Sequence, residues 1–170
     1  LHSFPTRRSS DLNTIGGLLM EGSTFNLTGN NNFTEEIRVL GGTLNITGAN
    51  TFKGGQDFPS VTMASGILRL LNPAALGTNG IKVALGNNGQ VQLEGINHRF
   101  TQLSGNALSR VVNAAASSAT LTLDLEQNQT FAGQLDNGGG GGLLNLTKSG
   151  PGRLTLTGTQ SGFSGVVRID

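Results

Sequence analysis

Hydrophobic and polar residues alternate along several short stretches of the chain. Around Leu44 and Ile46 the apolar side chains point one way, while Thr43, Asn45 and Thr47 point the other way. A period of two is typical of a β-strand with one buried face. The same alternation predicts strands at Phe25 and Leu27, at Val91 and Leu93, at Leu154 and Leu156, and over residues 120–125.

The alternating stretches belong to an internal repeat. GSTFNLTGNNNFT from Gly22 and GGTLNITGANTFK from Gly41 start 19 residues apart and align without a gap. The copies fall near residues 22–36, 41–55, 89–100 and 143–165. A unit of about 20 residues without a helix predicts that each copy stacks on the one before it. We therefore expect an all-β fold, a right-handed parallel β-helix (β-solenoid) of about eight turns with no significant helix.

A glycine follows four of the predicted strands, at Gly29, Gly48, Gly95 and Gly158, and a phenylalanine follows each of these glycines a few residues later. Glycine permits the bend, and the aromatic side chain returns to the interior. The pattern favours an interior aromatic stack over the alternative, a sugar-binding groove. The residues concerned are Phe33, Phe52, Phe100, Phe131 and Phe163.

Composition supports this fold class and excludes others. The chain has 27 glycines, no cysteine and only 12% charged residues, which suits short strands joined by turns and excludes a disulfide-stapled domain. No apolar run approaches the ~20 residues that span a bilayer. We expect one domain over residues 13–170, which continues beyond both ends of the chain as a segment of a longer protein.

Residues 1–12 resemble a translated sequencing adapter, and we expect them to be a disordered, non-native tail. The alternative is a genuine basic tail. Without Arg7, Arg8 and Asp11, the 11 basic and 10 acidic residues become 9 and 9. The basic balance then disappears, and with it any case for nucleic acid or an anionic membrane as a partner.

Few residues suggest catalysis or metal binding. His98 lies near Glu94, a pair that could transfer protons, but its place at a turn favours a solvated loop. A lone histidine cannot form a zinc site. Carboxylates of the kind that β-helix enzymes use on polysaccharides occur at Asp57, Asp124, Glu126 and Asp136.

Asp124 and Glu126 share a predicted strand face, but neither has an obvious third partner. We therefore expect no catalytic, cofactor-binding or metal-binding residue, and no cofactor.

Two further motifs have simple structural interpretations. The glycine run from Gly138 to Gly142 lacks the lysine and helix of a phosphate-binding loop and the repeat of a calcium-binding solenoid, so it predicts a flexible turn.

Asn-x-Thr triplets could accept glycans in a eukaryotic secreted protein. Because they recur with the repeat, a ladder of stacked polar side chains is favoured. The triplets begin at Asn26, Asn32, Asn45, Asn128 and Asn145.

The C-terminal copy, LLNLTKSGPGRLTLTGTQSGFSG from Leu143, resembles the autotransporter-associated β-strand repeat, also called the passenger-associated transport repeat. Phe163 stands where the family usually has Tyr or Phe, and the segment from Gly41 to Gly55 resembles a second copy. The resemblance departs from the family pattern at Glu35, Glu36 and Pro151. The matching residues are Leu146, Thr147, Lys148, Gly150, Gly152, Leu154, Thr155, Leu156, Gly158 and Gly165.

The resemblance implies a stalk segment in the exported passenger of a Gram-negative type V secretion protein. Such a segment supports folding, outer-membrane translocation and display at the cell surface, and its partner is the protein's own C-terminal translocator β-barrel, outside this segment. The chain is then not an enzyme. The runner-up is an adhesin surface that binds glycan or another cell, and a polysaccharide-processing enzyme comes third.

Overall fold

The computed structural model describes residues 8–9, 16–52, 61–160 and 162–170, with side chains from residue 16 onward. These residues form strands and turns, and none of them belongs to a helix. The strands are β1 (Arg8–Ser9), β2 (Leu18–Met20), β3 (Thr24–Leu27), β4 (Asn32–Phe33), β5 (Ile37–Val39), β6 (Thr43–Ile46), β7 (Thr51–Phe52), β8 (Val61–Met63), β9 (Gly66–Leu70), β10 (Ile81–Leu85), β11 (Gly89–Gln92), β12 (His98–Gly105), β13 (Arg110–Val112), β14 (Ala119–Asp124), β15 (Gln129–Phe131), β16 (Gln134–Asp136), β17 (Leu144–Ser149), β18 (Leu154–Leu156) and β19 (Val167–Ile169).

The strands stack into two long parallel sheets. The first sheet has eight strands in the order β19-β17-β14-β12-β10-β8-β5-β2. The second has seven in the order β1-β3-β6-β9-β11-β13-β16. Two small sheets, β4-β7 and β15-β18, close the corners between them. Each strand pairs with a strand one turn away along the chain, so the predicted β-solenoid is confirmed.

The number of turns is slightly lower than expected. Eight strands in one sheet are separated by seven turns, and seven strands in the other by six, whereas the repeat length predicts about eight. The cause is that later turns are longer: Leu18 pairs with Ile37, 19 residues on, but Ala119 pairs with Leu144, 25 residues on.

The hydrophobic core consists of columns of side chains that stack from turn to turn. In the second sheet one column contains Leu44, Leu68, Val91 and Val111 in direct register, and all four are fully buried. Burial alternates along β6, β10, β14 and β17, so the period-two pattern of the sequence correctly identifies the inward residues there. No single turn could bury its inner face alone, because the column needs a neighbour above and below.

Two of the longer connections between strands contain no helix. The alanine-rich residues 113–118 connect β13 to β14, and residues 71–80, which include Asn72–Gly77, connect β9 to β10 through a turn. The strand predicted over residues 120–125 is β14, one residue shifted.

At the N-terminus, Arg8–Ser9 pairs with Asn26 and Leu27, although it falls in the segment that we expected to be disordered. The other residues of 1–12 lie outside the described part of the chain.

Successive turns approach so closely at some corners that only glycine fits. A methyl group at Gly48 would overlap the carbonyl oxygen of Gly29, one turn earlier. At another corner, Ser23, Gly42 and Gly66 occupy equivalent positions with φ of 64°, 81° and 91°, the left-handed region that favours glycine. The glycines of the repeat therefore follow from the distance between turns as well as from the bends.

We expect Gly48→Ala to lower the free energy of unfolding by about 1–3 kcal/mol, because the added methyl group forces the two turns apart. The matched control is Gly22→Ala, since a methyl group at that position would have no other atom within 4 Å. Urea unfolding of both variants measures the difference. Equal stability of the two would contradict the close approach.

Candidate functional site

The candidate carboxylates do not form a catalytic cluster. Asp124 ends β14 and is paired with Arg99 of the preceding turn, and the Ser149 hydroxyl of the following turn donates to it over 3.0 Å. The hydrogen bond from Arg99 lowers the pKa of Asp124, with a smaller contribution from Ser149. This carboxylate therefore stays ionised and links three turns.

The remaining carboxylates occupy separate environments. Asp136, on β16, is paired with Arg110 and accepts a hydrogen bond from the Gly138 amide over 2.7 Å. Glu126 lies in an exposed bend after β14, so the expectation that it shares a strand face with Asp124 is wrong, because the strand ends at Asp124. Asp57 lies outside the described residues.

Three ion pairs instead join consecutive turns of the solenoid. Arg69 pairs with Glu94 over 2.6 Å, and the Arg99–Asp124 and Arg110–Asp136 pairs have the same arrangement. In each pair the arginine precedes the acid by 25 or 26 residues, one turn of the chain. The hydrogen bond that Arg69 Nε donates to Glu94 raises the pKa of Arg69 above its already high value. Since Glu94 is engaged in this pair, it is not available to act with His98 as an acid and base.

His98 is buried, and the expectation of a solvated loop is wrong. It begins β12 and occupies an inward position beside Leu121, with 6% of its surface exposed. Burial lowers the pKa of His98 from 6.5 to about 4, while a hydrogen bond to the Leu70 backbone acts in the opposite direction. Its Nε2 has no hydrogen-bond partner among the described residues. The histidine is therefore neutral near pH 7.

Buried side-chain amides form a second set of contacts between turns. Asn31 Nδ2 donates to Asn50 Oδ1 over 2.8 Å, and Asn50 Nδ2 donates to the carbonyl of Ala75 over 2.8 Å. Each amide also donates to the carbonyl two residues before it, that of Gly29 or Gly48. We call Asn31 and Asn50 the amide column. Both residues are 2–3% exposed, so the hydrogen bonds are made in the interior.

Gln160 repeats this arrangement near the other end of the solenoid. Its Nε2 donates to the carbonyls of Gly158 and Gly133, and its Oε1 accepts the Leu135 amide over 2.7 Å. The alternation of apolar and polar residues did not indicate these three amides. The available signal is their common position, two residues after the glycine that ends a strand.

Lys148 is a further inward-facing polar residue. On β17 it stacks with Leu123 of the preceding turn and is 9% exposed. Its ammonium group reaches the corner, where it donates to the carbonyls of Ser149 and Gly150 over 2.9 and 2.6 Å. The lysine thereby binds carbonyl groups at the turn that follows its own strand.

The predicted ladder of Asn-x-Thr residues is present in part. Asn45 Nδ2 donates to Asn26 Oδ1 over 2.7 Å, and the Thr51 hydroxyl donates to Asn32 Oδ1 over 3.1 Å. The other two triplet asparagines, Asn128 and Asn145, accept backbone amides of the following turn instead.

The phenylalanines are interior but do not form one stack. Phe33, Phe100 and Phe131 are fully buried, and Phe52 and Phe163 are partly buried against the core. Only Phe33 and Phe52 are stacked among the described rings, with centroids 5.1 Å apart. Phe100 belongs to the first long sheet, so it lies in a different column from the Phe33–Phe52 pair. Among the described rings, the predicted interior aromatic stack is therefore present only as the Phe33–Phe52 pair.

The glycine run connects β16 to β17 and lies against the preceding turn. Methyl groups at Gly140 and Gly142 would overlap backbone carbonyls of Ala114 and Ser117, whereas Gly139 and Gly141 have open space. The Gly142 amide donates to the Ala115 carbonyl over 3.0 Å. The run is thus a connection between strands, as the sequence predicts. Gly140 and Gly142 pack closely against the preceding turn.

The described residues contain no group of three or more His, Cys, Asp and Glu that could hold a metal ion. They also include no helix with the length and hydrophobicity to cross a membrane. What the structure brings together is a set of polar contacts between consecutive turns, and these contacts are the candidate functional feature of the chain.

We expect Asn50→Ala to lower the free energy of unfolding by about 1–3 kcal/mol, because it leaves the Asn31 amide and the Ala75 carbonyl buried with fewer partners. The control is Asn30→Ala, since Asn30 is exposed and accepts one backbone amide over 2.9 Å. Chemical denaturation should show a clearly smaller loss for the control. A larger loss at Asn30 would contradict a stabilising interior column.

Stability should also fall as the pH drops from 6.5 to about 4. In this window the unfolded chain binds a proton at His98 and the folded chain does not, so up to about 3 kcal/mol of stability is lost. The contribution of Asp124 is lost only at lower pH, because its pKa is lowered from 3.8. Denaturation of the wild type and of His98→Gln across this range measures the effect. An unchanged pH profile in the variant would show that another group is responsible.

The geometry agrees with a comparison against known protein families. The model of the passenger-associated transport repeat matches the chain at residues 22–46, 41–55 and 146–170. No curated protein and no solved structure matches the chain. The first two matched ranges contain β3, β6 and the amide column, and the third contains Lys148 and Gln160. The chain therefore matches the passenger-associated transport repeat in two segments, residues 22–55 and 146–170.

Proposed function

We propose that this chain is a structural stalk segment of a bacterial autotransporter passenger, displayed at the cell surface or released outside the cell. Its function is to support folding and outer-membrane translocation, and its partner is the protein's own translocator. The observation that carries the proposal is the continuity of the contacts between turns. Backbone pairing, ion pairs and buried amides all join one turn to the next.

A stack of this kind suits a segment that folds while it emerges from a membrane. Each completed turn presents an open row of backbone N–H and C=O groups to the next turn. A newly emerged turn can therefore pair with a folded edge, and its stabilisation depends only on its nearest neighbour. Folding outside the membrane would then oppose backsliding of the chain.

An adhesin surface that binds glycan or another cell is the second candidate. The feature that favours an adhesin is the outer face of the first long sheet, where Thr120 pairs with Asn145 and Thr122 pairs with Thr147. Their side chains alternate with the buried ones and are partly exposed. This arrangement produces a regular polar face across neighbouring turns. An enzyme has less support, since Asp124 and Asp136 are each paired with an arginine.

The stalk function can be tested with the complete passenger and its translocator in its native arrangement. We expect Gly48→Ala and Asn50→Ala to reduce the surface-displayed fraction several-fold, because a weakened turn no longer holds the exported chain. Gly22→Ala and Asn30→Ala are the matched controls. Protease accessibility on intact cells, divided by total passenger, measures display. Unchanged display of both destabilised variants would overturn the proposal.

A further inference from the structure

The solenoid changes its cross-section in the middle of the chain, and this change creates a cavity. After β9 the chain needs residues 71–80 to reach β10, but after β11 it reaches β12 through residues 93–97 alone. The longer connection therefore projects beyond the shorter one in the next turn. The space beside this step is a surface depression that is open to solvent and has a volume of about 250 Å³, and we refer to it as the cavity. It is lined by Pro73, Gly77, Thr78, Asn97, His98, Arg99 and Thr122.

The groups around the cavity offer hydrogen bonds that the protein itself does not use. Asn97 accepts the Thr120 amide through Oδ1, and its Nδ2 group has no partner among the described residues. The hydroxyl groups of Thr78 and Thr122 likewise have no hydrogen-bond partner within the described part of the chain. Three donor groups from three different segments thus border one space.

The cavity has no uncompensated charge. The only charged lining residue is Arg99, and its guanidinium is paired with Asp124. His98 is neutral near pH 7 because of its burial. An anionic ligand would have to compete with Asp124 for the guanidinium group, and a cation would find no carboxylate in the lining. The chemistry fits a neutral ligand with several hydroxyl groups.

The volume of the cavity further restricts the possible ligands. One bound water needs about 10–15 Å³, so the cavity is far larger than a single water site. It lies just below the range of ~300–1,000 Å³ that holds drug-sized ligands. Pro73 and Gly77 supply an apolar wall, and the one ring in the lining is the imidazole of the buried His98. A single sugar ring meets these conditions, with hydroxyl groups facing the donors and C–H groups facing Pro73.

We propose that this cavity binds one ring of a neutral saccharide. Thr78, Asn97 and Thr122 donate to its hydroxyl groups, and Thr147, in register with Thr122 on the next strand, extends the polar surface along a longer chain. Affinity for a single ring is in the millimolar range, since the contacts are few and include no aromatic stacking. The proposal does not rest on the stalk function, because its test measures ligand binding and not surface display.

The test uses the full 170-residue chain and nuclear magnetic resonance titration with three neutral probes. The probes are methyl β-D-glucopyranoside, methyl α-D-mannopyranoside and methyl β-D-galactopyranoside, and sodium sulfate serves as an anionic comparison. We expect at least one sugar to shift the backbone amide signals of Thr78, Asn97 and Thr122 in a saturable way. Sulfate should leave these signals in place.

Thr78→Val and Thr122→Val each remove one hydroxyl group while keeping the side-chain shape, and each should weaken binding about threefold to tenfold. Thr43→Val, on the second long sheet, is the matched control and should bind as the wild type does. Thermal unfolding of every variant confirms that the fold is retained.

If no probe shifts these signals at tens of millimolar, if sulfate takes the site instead, or if all three variants bind equally, the proposal is overturned. None of these outcomes bears on surface display, which tests the stalk function separately.

Discussion

The constraint on which the structure depends is the short, regular distance between consecutive turns. Paired parallel strands lie about 4.8 Å apart, so the side chains of paired residues stack directly on one another from turn to turn. This stacking accounts for the columns through Leu44 and Leu68 and for the ion pair between Arg69 and Glu94. It also excludes any side chain at Gly48, where the backbone of the preceding turn occupies the space. Core packing, charge pairing and glycine placement thus have one common cause.

Burying polar groups in the interior costs free energy, and hydrogen bonds between stacked turns offset this cost. A buried amide without partners destabilises a fold, yet Asn50 donates to both Gly48 and Ala75 and accepts from Asn31. Such bonds require a particular neighbour in a particular register, whereas apolar side chains accept several arrangements. In a chain whose first two repeats are so similar, this directionality helps to keep each turn beside its correct neighbour. The amides therefore contribute specificity in addition to stability.

Differences in turn length make a few segments of the solenoid depart from the regular stack. Short turns of 19 residues stack evenly, as the pairing of Thr24 with Thr43 shows. Where a long connection precedes a short one, the outline steps inward beside Pro73, and β12 begins there with His98. The same segment thus contains a buried histidine, an ion pair and a cavity. The cavity lies at an irregular part of the repeat, so any binding to it would depend on that irregularity.

The sequence alone determined the fold class, because the period-two alternation and the 19-residue spacing describe interactions between near and equivalent residues. It also indicated that residues such as Leu44, Phe33 and Leu121 face inward, since alternation along a strand is a local property. Only the tertiary structure decided the environment of His98, the separation of Asp124 from Glu126 and the columns to which Phe52 and Phe100 belong. These features depend on the length of each connection, which sets the residues that meet across turns. The lengths of the connections follow no period. The pattern that predicted the strands therefore could not predict which side chains lie next to each other in neighbouring turns.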